Sequence, residues 1–251
     1  MIAALSDIEH LILALAAAPD APAARAVAAL LVRTAGPAVL TGGALAAIVV
    51  ATRATVDGGT VSGLDDCTGV TQPGLVGPAL EIGPGAAVEG APPAVVDSGS
   101  PDLLEAFPVA AVATLALPAG SGTPRPSLVD GQCQPGPWNW GAFGQEGPCA
   151  AHRPLVHAHG DLVVHGGEGQ GVLVVDGNLT VSDGFSFRWL IVVLGRLRLE
   201  GGVIAGGVRA RELEMSDGSV RFDSCALTAA AAGPAFDRAF RPTGRWWIPA
   251  F

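Results

Sequence analysis

The sequence has no lysine and no tyrosine, and only 5% of it is aromatic. Charge is sparse at 15% of residues, with 14 basic residues, all arginine, against 23 acidic ones and a net charge of −9. Phosphate backbones need a basic stripe, so no nucleic-acid partner is expected. Without lysine there is no P-loop, and no GxSxG nucleophile elbow occurs. No run of about 18 uninterrupted apolar residues exists, so no transmembrane segment is expected. The nearest candidate, Ala38 to Ala51, is interrupted by Thr41, Gly42 and Gly43. Asp7 and Glu9 stand where a secretory signal carries basic residues, so residues 1–18 are not expected to be a standard signal peptide. Low charge with 49% hydrophobic content argues against disorder. The 35 glycines have no period of three, which excludes a collagen helix.

Cysteine is scarce but informative. Cys67, Cys133, Cys149 and Cys225 contain no CxxC, which excludes a zinc knuckle and a thioredoxin motif. An even, widely spaced set points to two disulfides and therefore to an oxidising, extracytoplasmic compartment: secreted, periplasmic or cell-surface. Four cysteines allow three pairings. Cys133 with Cys149 is the expected first bridge, because the loop between them, carrying Trp138, Asn139 and Trp140, has little regular structure to hold itself. That leaves Cys67 with Cys225.

Five regions follow along the 251 residues. Residues 1–36 read as a helical hairpin. Ser6 and Glu9 form a capping box, Leu5, Ile8, Leu11, Ile12 and Leu15 follow at helical spacing, and Pro19 to Pro22 supply the turn. Residues 37–117 read as irregular early coils with a short helix capped at Ser100 and Glu105. Residues 118–150 form a Gly/Pro-rich loop, 151–230 a repeat region, and 231–251 a C-terminal aromatic tail with Trp246 and Trp247.

The repeat is the strongest signal. Asp161-Leu162-Val163-Val164, Asn178-Leu179-Thr180-Val181, Arg196-Leu197-Arg198-Leu199 and Glu212-Leu213-Glu214-Met215 share one alternating pattern, and a glycine turn follows each. Their leucines are 17, 18 and 16 residues apart (162, 179, 197, 213). Strands at Leu155 to Ala158, Val172 to Val175 and Leu190 to Val193 precede them, and weaker copies occur at Ala54 to Gly59 and Ala87 to Gly90. This period is too short for a helical repeat and fits one coil of a parallel stack. Stacking lets coils pair their backbones and share one apolar core. The expected fold is therefore mainly β: a parallel β-solenoid (β-helix) with coils of about 16–18 residues, capped by the N-terminal helical hairpin. Leu162, Leu179, Leu197 and Leu213 are expected to form one core column.

The run from His157 to Gly202, HAHGDLVVHGGEGQGVLVVDGNLTVSDGFSFRWLIVVLGRLRLEGG, resembles the C-terminal part of secreted bacterial PilX-like pilus-assembly proteins. Trp138-Asn139-Trp140-Gly141 and Asp223-Ser224-Cys225-Ala226-Leu227 are similar to the same group. The resemblance covers roughly residues 130 to 230, with a looser echo at 54 to 100. It implies a β-solenoid ectodomain on a cell-surface or pilus-associated protein, with other surface or pilus proteins, or copies of itself, as partners. It brings no catalytic residue with it.

Candidate chemistry is thin. His157-Ala158-His159-Gly160-Asp161 matches an HxHxD metal motif, and alternate strand residues share a face. The further histidines a dinuclear hydrolase needs are missing after His165, so no metal is expected, with His157, His159 and Asp161 as the weak candidates. The glycine run at Gly166 to Gly171 lacks the aspartate of a calcium-binding repeat. Asp161, Glu212 and Glu214 are the outward carboxylates a polysaccharide-active solenoid would use. In the same register Arg196 and Arg198 face Glu212 and Glu214 on the neighbouring coil, where opposite charges pair. The functional expectation is a non-enzymatic extracytoplasmic structural or adhesive protein without cofactors. The alternative is a carbohydrate-binding or carbohydrate-active β-solenoid, and the third reading is a metal-dependent hydrolase at His157 and His159.

Overall fold

The computed structural model describes residues 46–97, 104, 117–134, 136, 139–144 and 146–231, and the backbone of 2–6, 9–17 and 25–33. The chain is mainly β. Among the described residues no helix is long and apolar enough to cross a membrane.

The N-terminal helical hairpin is not what the backbone forms. Strands β1 (Ile2–Ser6), β2 (Glu9–Ala17) and β3 (Arg25–Arg33) pair as an antiparallel sheet in the order β1-β2-β3. Ser6 and Glu9, the supposed capping box, face each other across the β1–β2 hairpin. Short apolar runs of eight or nine residues satisfy helix and strand templates alike, and periodicity alone does not arbitrate between them. Pro19 to Pro22, the helix at Ser100 to Glu105 apart from Leu104, Trp138, Trp246 and Trp247 lie outside the described residues.

The main body is a ten-stranded sheet. Its members are β4 (Ile48–Ser62), β5 (Leu75–Gly77), β6 (Leu80–Glu89), β7 (Ala94–Val96), β8 (Leu117–Pro118), β11 (Leu155–Ala158), β12 (Leu162–His165), β13 (Glu168–Val175), β14 (Leu179–Ser182) and β15 (Ser186–Phe222). All its pairings are parallel. They fall into three columns. One aligns Leu155 with Val172 and Leu190, and Val208 with Ile48, Leu75 and Ala94. The second aligns Leu162 with Leu179 and Leu197, and Leu213 with Ala54 and Leu80. The third aligns Glu168 with Ser186, and Ser219 with Thr60 and Ala87. Strand β15 is 37 residues long, yet Arg196 bonds Glu212 within it, so it turns back beside itself.

Alternation makes this core. In β12 and β14 the leucine and second valine are buried while their neighbours are less so. Leu162, Leu179, Leu197 and Leu213 are all buried in the same apolar cluster, with Val164, Val181, Leu199 and Met215 beside them. Burying one such side chain contributes about 1.5–3 kcal/mol. The corners are tight enough to exclude side chains. A Cβ on Gly177 would meet the Gly160–Asp161 backbone, and one on Gly195 would meet Gly177. Asp161 Oδ1 accepts the Asn178 backbone N–H at 2.7 Å, and Asn178 Oδ1 accepts that of Arg196 at 2.9 Å, so side chains satisfy amides at the bend.

Two buried amides organise the loop before the repeats. The hairpin of β9 (Leu128–Val129) and β10 (Gln132–Cys133) leads into it. Asn139 donates to the carbonyl of Gln134 and accepts the Gly141 N–H at 3.0 Å. Gln170, on β13, donates to the carbonyls of Cys149, Ala150 and His152. Trp140 is fully buried, edge-on to Phe185 at 6.2 Å.

The stacking order does not follow the chain. Strand β15 pairs with β13 and β14 on one side and with the early strand β4 on the other. The sheet runs β7-β5-β4-β15-β13-β11-β8, so β7 and β8, consecutive in sequence, stand at opposite ends. The chain enters in the middle of the stack, builds to one end, crosses over and returns coil by coil. Helix α1 (Ser224–Ala231) follows β15 and packs on it.

Candidate functional site

The histidine cluster lies where two coils meet. His157 is on β11 and His159 just beyond it. Ala158 is in register with Val175, so Asp176 arrives beside both imidazoles. His157 Nε2 lies 2.7 Å from Asp176 Oδ1, and His159 Nδ1 lies 3.2 Å from Asp176 Oδ2. The two rings are 4.2 Å apart, edge to face. His157 is 2% exposed, whereas the His159 side chain is 70% exposed. One donor atom from each of the three residues falls within 4.8 Å of the others. Asp161, the carboxylate that the motif suggested, bonds Asn178 at the corner instead.

A second feature is the charged flank. Arg196 binds Glu212 at 2.9 Å and Glu214 at 3.0 Å, and Arg198 binds Glu214 at 2.9 Å. The Arg196 guanidinium is held above its ordinary pKa, first by its hydrogen bond to Glu212 and then by the charges of Glu214 and Glu212. A cleft of about 380 Å³ beside this ladder is lined by Asp57, Arg198, Glu200 and Glu214 among others. Arg198 also reaches Glu200 at 3.9 Å. Two of the three carboxylates in that cleft therefore share one guanidinium.

The third feature closes the joint between the early and late parts of the chain. Cys67 and Cys225 stand at disulfide distance, with Cα atoms 5.6 Å apart, and so do Cys133 and Cys149 at 5.0 Å. Next to the first pair, Asp65 accepts the backbone N–H and the hydroxyl of Ser224, the Thr68 hydroxyl and the Cys67 N–H. Burial pushes the Asp65 carboxyl up, but these four bonds outweigh it and bring the pKa from 3.8 down to about 2. Asp223 caps α1 through the Ala226 N–H at 2.8 Å and holds Arg188 at 2.9 Å. A cleft of about 510 Å³ opens here between the Arg188–Asp223 and Arg221–Asp66 pairs.

Two residues break local rules. Arg209 is buried; Nη1 bonds the carbonyls of Ala46 and Val208, and Nη2 has no partner. Burial lowers its pKa from 12.5 to about 10. Trp189 has φ of 113°, and stands in register with Gly171 at 105°. A bulky residue with this backbone is rare. Arg153 lies over its ring at 4.6 Å.

Sequence reasoning missed Asp176, Asp65, Arg209 and Trp189. Asp176 was within reach: it opens the Asp-Gly corner one coil on from His159, 17 residues later. The other three carry no pattern in the sequence.

No protein-family model matches the chain, and comparison with curated proteins and with solved structures returns no match.

Proposed function

We propose that the three parallel columns are the faces of a β-solenoid with coils of about 16–18 residues, and that this solenoid is a non-enzymatic, extracytoplasmic scaffold. Its role is structural or adhesive, at a cell surface or pilus as the PilX-like resemblance implies. The observation that carries the reading is the outer flank. Its prominent carboxylates, Glu212 and Glu214, are committed to Arg196 and Arg198 across neighbouring coils. A glycosidase needs two carboxyl groups about 5–9 Å apart and free to act on a substrate. Carboxylates neutralised by a guanidinium ladder serve cohesion between coils. The two cysteine pairs at disulfide distance support the oxidising compartment.

Cell fractionation with non-reducing peptide mapping tests this reading. The expected result is protein in the periplasmic or surface fraction with Cys67–Cys225 and Cys133–Cys149 peptides. Four alkylatable thiols in cytosolic protein would overturn it. The cleft lined by Asp57, Glu200 and Glu214 favours carbohydrate binding as the second reading. Saturable binding of an oligosaccharide, weakened by Glu200→Gln, would put that reading first.

A further inference from the structure

We propose that His157, His159 and Asp176 form a binding site for one divalent transition-metal ion of the zinc class. The inference is independent of the scaffold reading. The donors are two imidazole nitrogens and one carboxylate oxygen, the mixed set that suits zinc, nickel or cobalt and not calcium or magnesium. Four-coordinate zinc at about 2.0–2.2 Å from each donor places donors roughly 3.3–3.5 Å apart. The contacts here are 2.7 Å for His157 Nε2 to Asp176 Oδ1 and 3.2 Å for His159 Nδ1 to Asp176 Oδ2. Opening the first by several tenths of an ångström brings the set to coordination spacing. The ring of His157 is held in the wall by β11 and its neighbours, so one ligand is fixed in advance. His159 and Asp176 reach solvent, which gives the ion an entry path and leaves its remaining position to water.

The second, independent observation is the other nitrogen of His157. Nδ1 is buried and has no partner among the described atoms. Free of the ion, a neutral His157 donates from Nε2 to Asp176 and leaves Nδ1 bare. Metal at Nε2 requires the proton on Nδ1 instead, and the outer acceptor that usually steadies such a ligand is missing. Binding is therefore of moderate strength, in the micromolar range and not the nanomolar. The ion joins one coil, through His157 and His159, to the next, through Asp176, so it stabilises the fold by binding the folded state alone.

The experiment uses untagged full-length protein, stripped with chelator and titrated with Zn²⁺ by calorimetry, with thermal unfolding alongside. One equivalent binds and raises the unfolding midpoint. His159→Ala removes an exposed ligand without touching the core. It lowers affinity by at least the roughly 10–100-fold that losing even an outer-shell partner costs, and leaves the metal-free midpoint unchanged. Asp176→Asn weakens binding likewise. His165→Ala, an exposed histidine on the next strand, leaves affinity unchanged. Co²⁺ gives visible bands of a low-coordinate nitrogen–oxygen site in the wild type and not in His159→Ala. Absence of saturable binding, full affinity in His159→Ala, or an equal loss in His165→Ala would overturn the proposal.

Discussion

Leu179 lies between Leu162 and Leu197 with no exposed surface, and each neighbour is one coil away. Truncation to alanine cannot be relieved by collapse, because both backbones beside it are locked in parallel ladders. Leu179→Ala is expected to lower stability by roughly 2–5 kcal/mol, the cost of lost burial plus a cavity. Denaturant titration reads this as a lower midpoint at constant slope. An unchanged midpoint would mean that Leu179 is not in the core. The same scale explains why Trp189 is tolerated at a corner that Gly171 and Gly206 otherwise occupy with positive φ. Its ring is buried and covered by Arg153, and that packing offsets the backbone cost.

Helix α1 is tied to the early strands through one carboxylate. Asp65 follows β4 by three residues and accepts both donors of Ser224 at the helix start. Its folded pKa of about 2 lies below its ordinary 3.8. The sign follows from linkage: the contribution is complete above pH 3.8 and is lost as pH falls through about 2. The amount is on the order of 1–2 kcal/mol once solvent screening is allowed for. Thermal unfolding between pH 5 and about 2 checks it. Asp65→Asn should lower the midpoint at pH 5 and flatten the acid limb; an acid limb as steep as the wild type's would assign the sensitivity elsewhere.

At the scale of the whole molecule, the stack depends on a joint that the chain reaches only by long detours. Strands β4 and β15 pair along ten residue positions, although Ile48 and its partner Val208 lie at opposite ends of the sequence. Such contacts are slow to form and costly in loop entropy. The Cys67–Cys225 bridge spans 158 residues beside this joint, and Cys133–Cys149 spans 16. In the chain-entropy model the long bridge contributes about 5 kcal/mol and the short one about 3 kcal/mol. The Cys67→Ser/Cys225→Ser double variant should therefore lower the unfolding midpoint more than Cys133→Ser/Cys149→Ser. Calorimetry of both variants decides it, and a reversed ranking would show that the joint holds without its bridge.

The sequence by itself determined the strands, their register and the spacing of the parallel columns. Alternation of period two fixes which side chains turn inward, and an almost constant repeat of 16 to 18 residues aligns equivalent positions on neighbouring strands. That information is local and recurs along the chain, so it is legible residue by residue. The Arg196–Glu212 and Arg198–Glu214 contacts follow from the same register. Tertiary structure alone decided the rest. Residues 2–33 carry apolar runs compatible with either secondary structure, and only backbone pairing made them strands. The meeting of β4 with β15 depends on how far the chain travels before it returns, which no local pattern encodes. The placement of Asp176 beside two histidines needed the coil offset to within one residue. A side chain on the neighbouring residue would point to the opposite face, as Asp161 shows by bonding the corner instead.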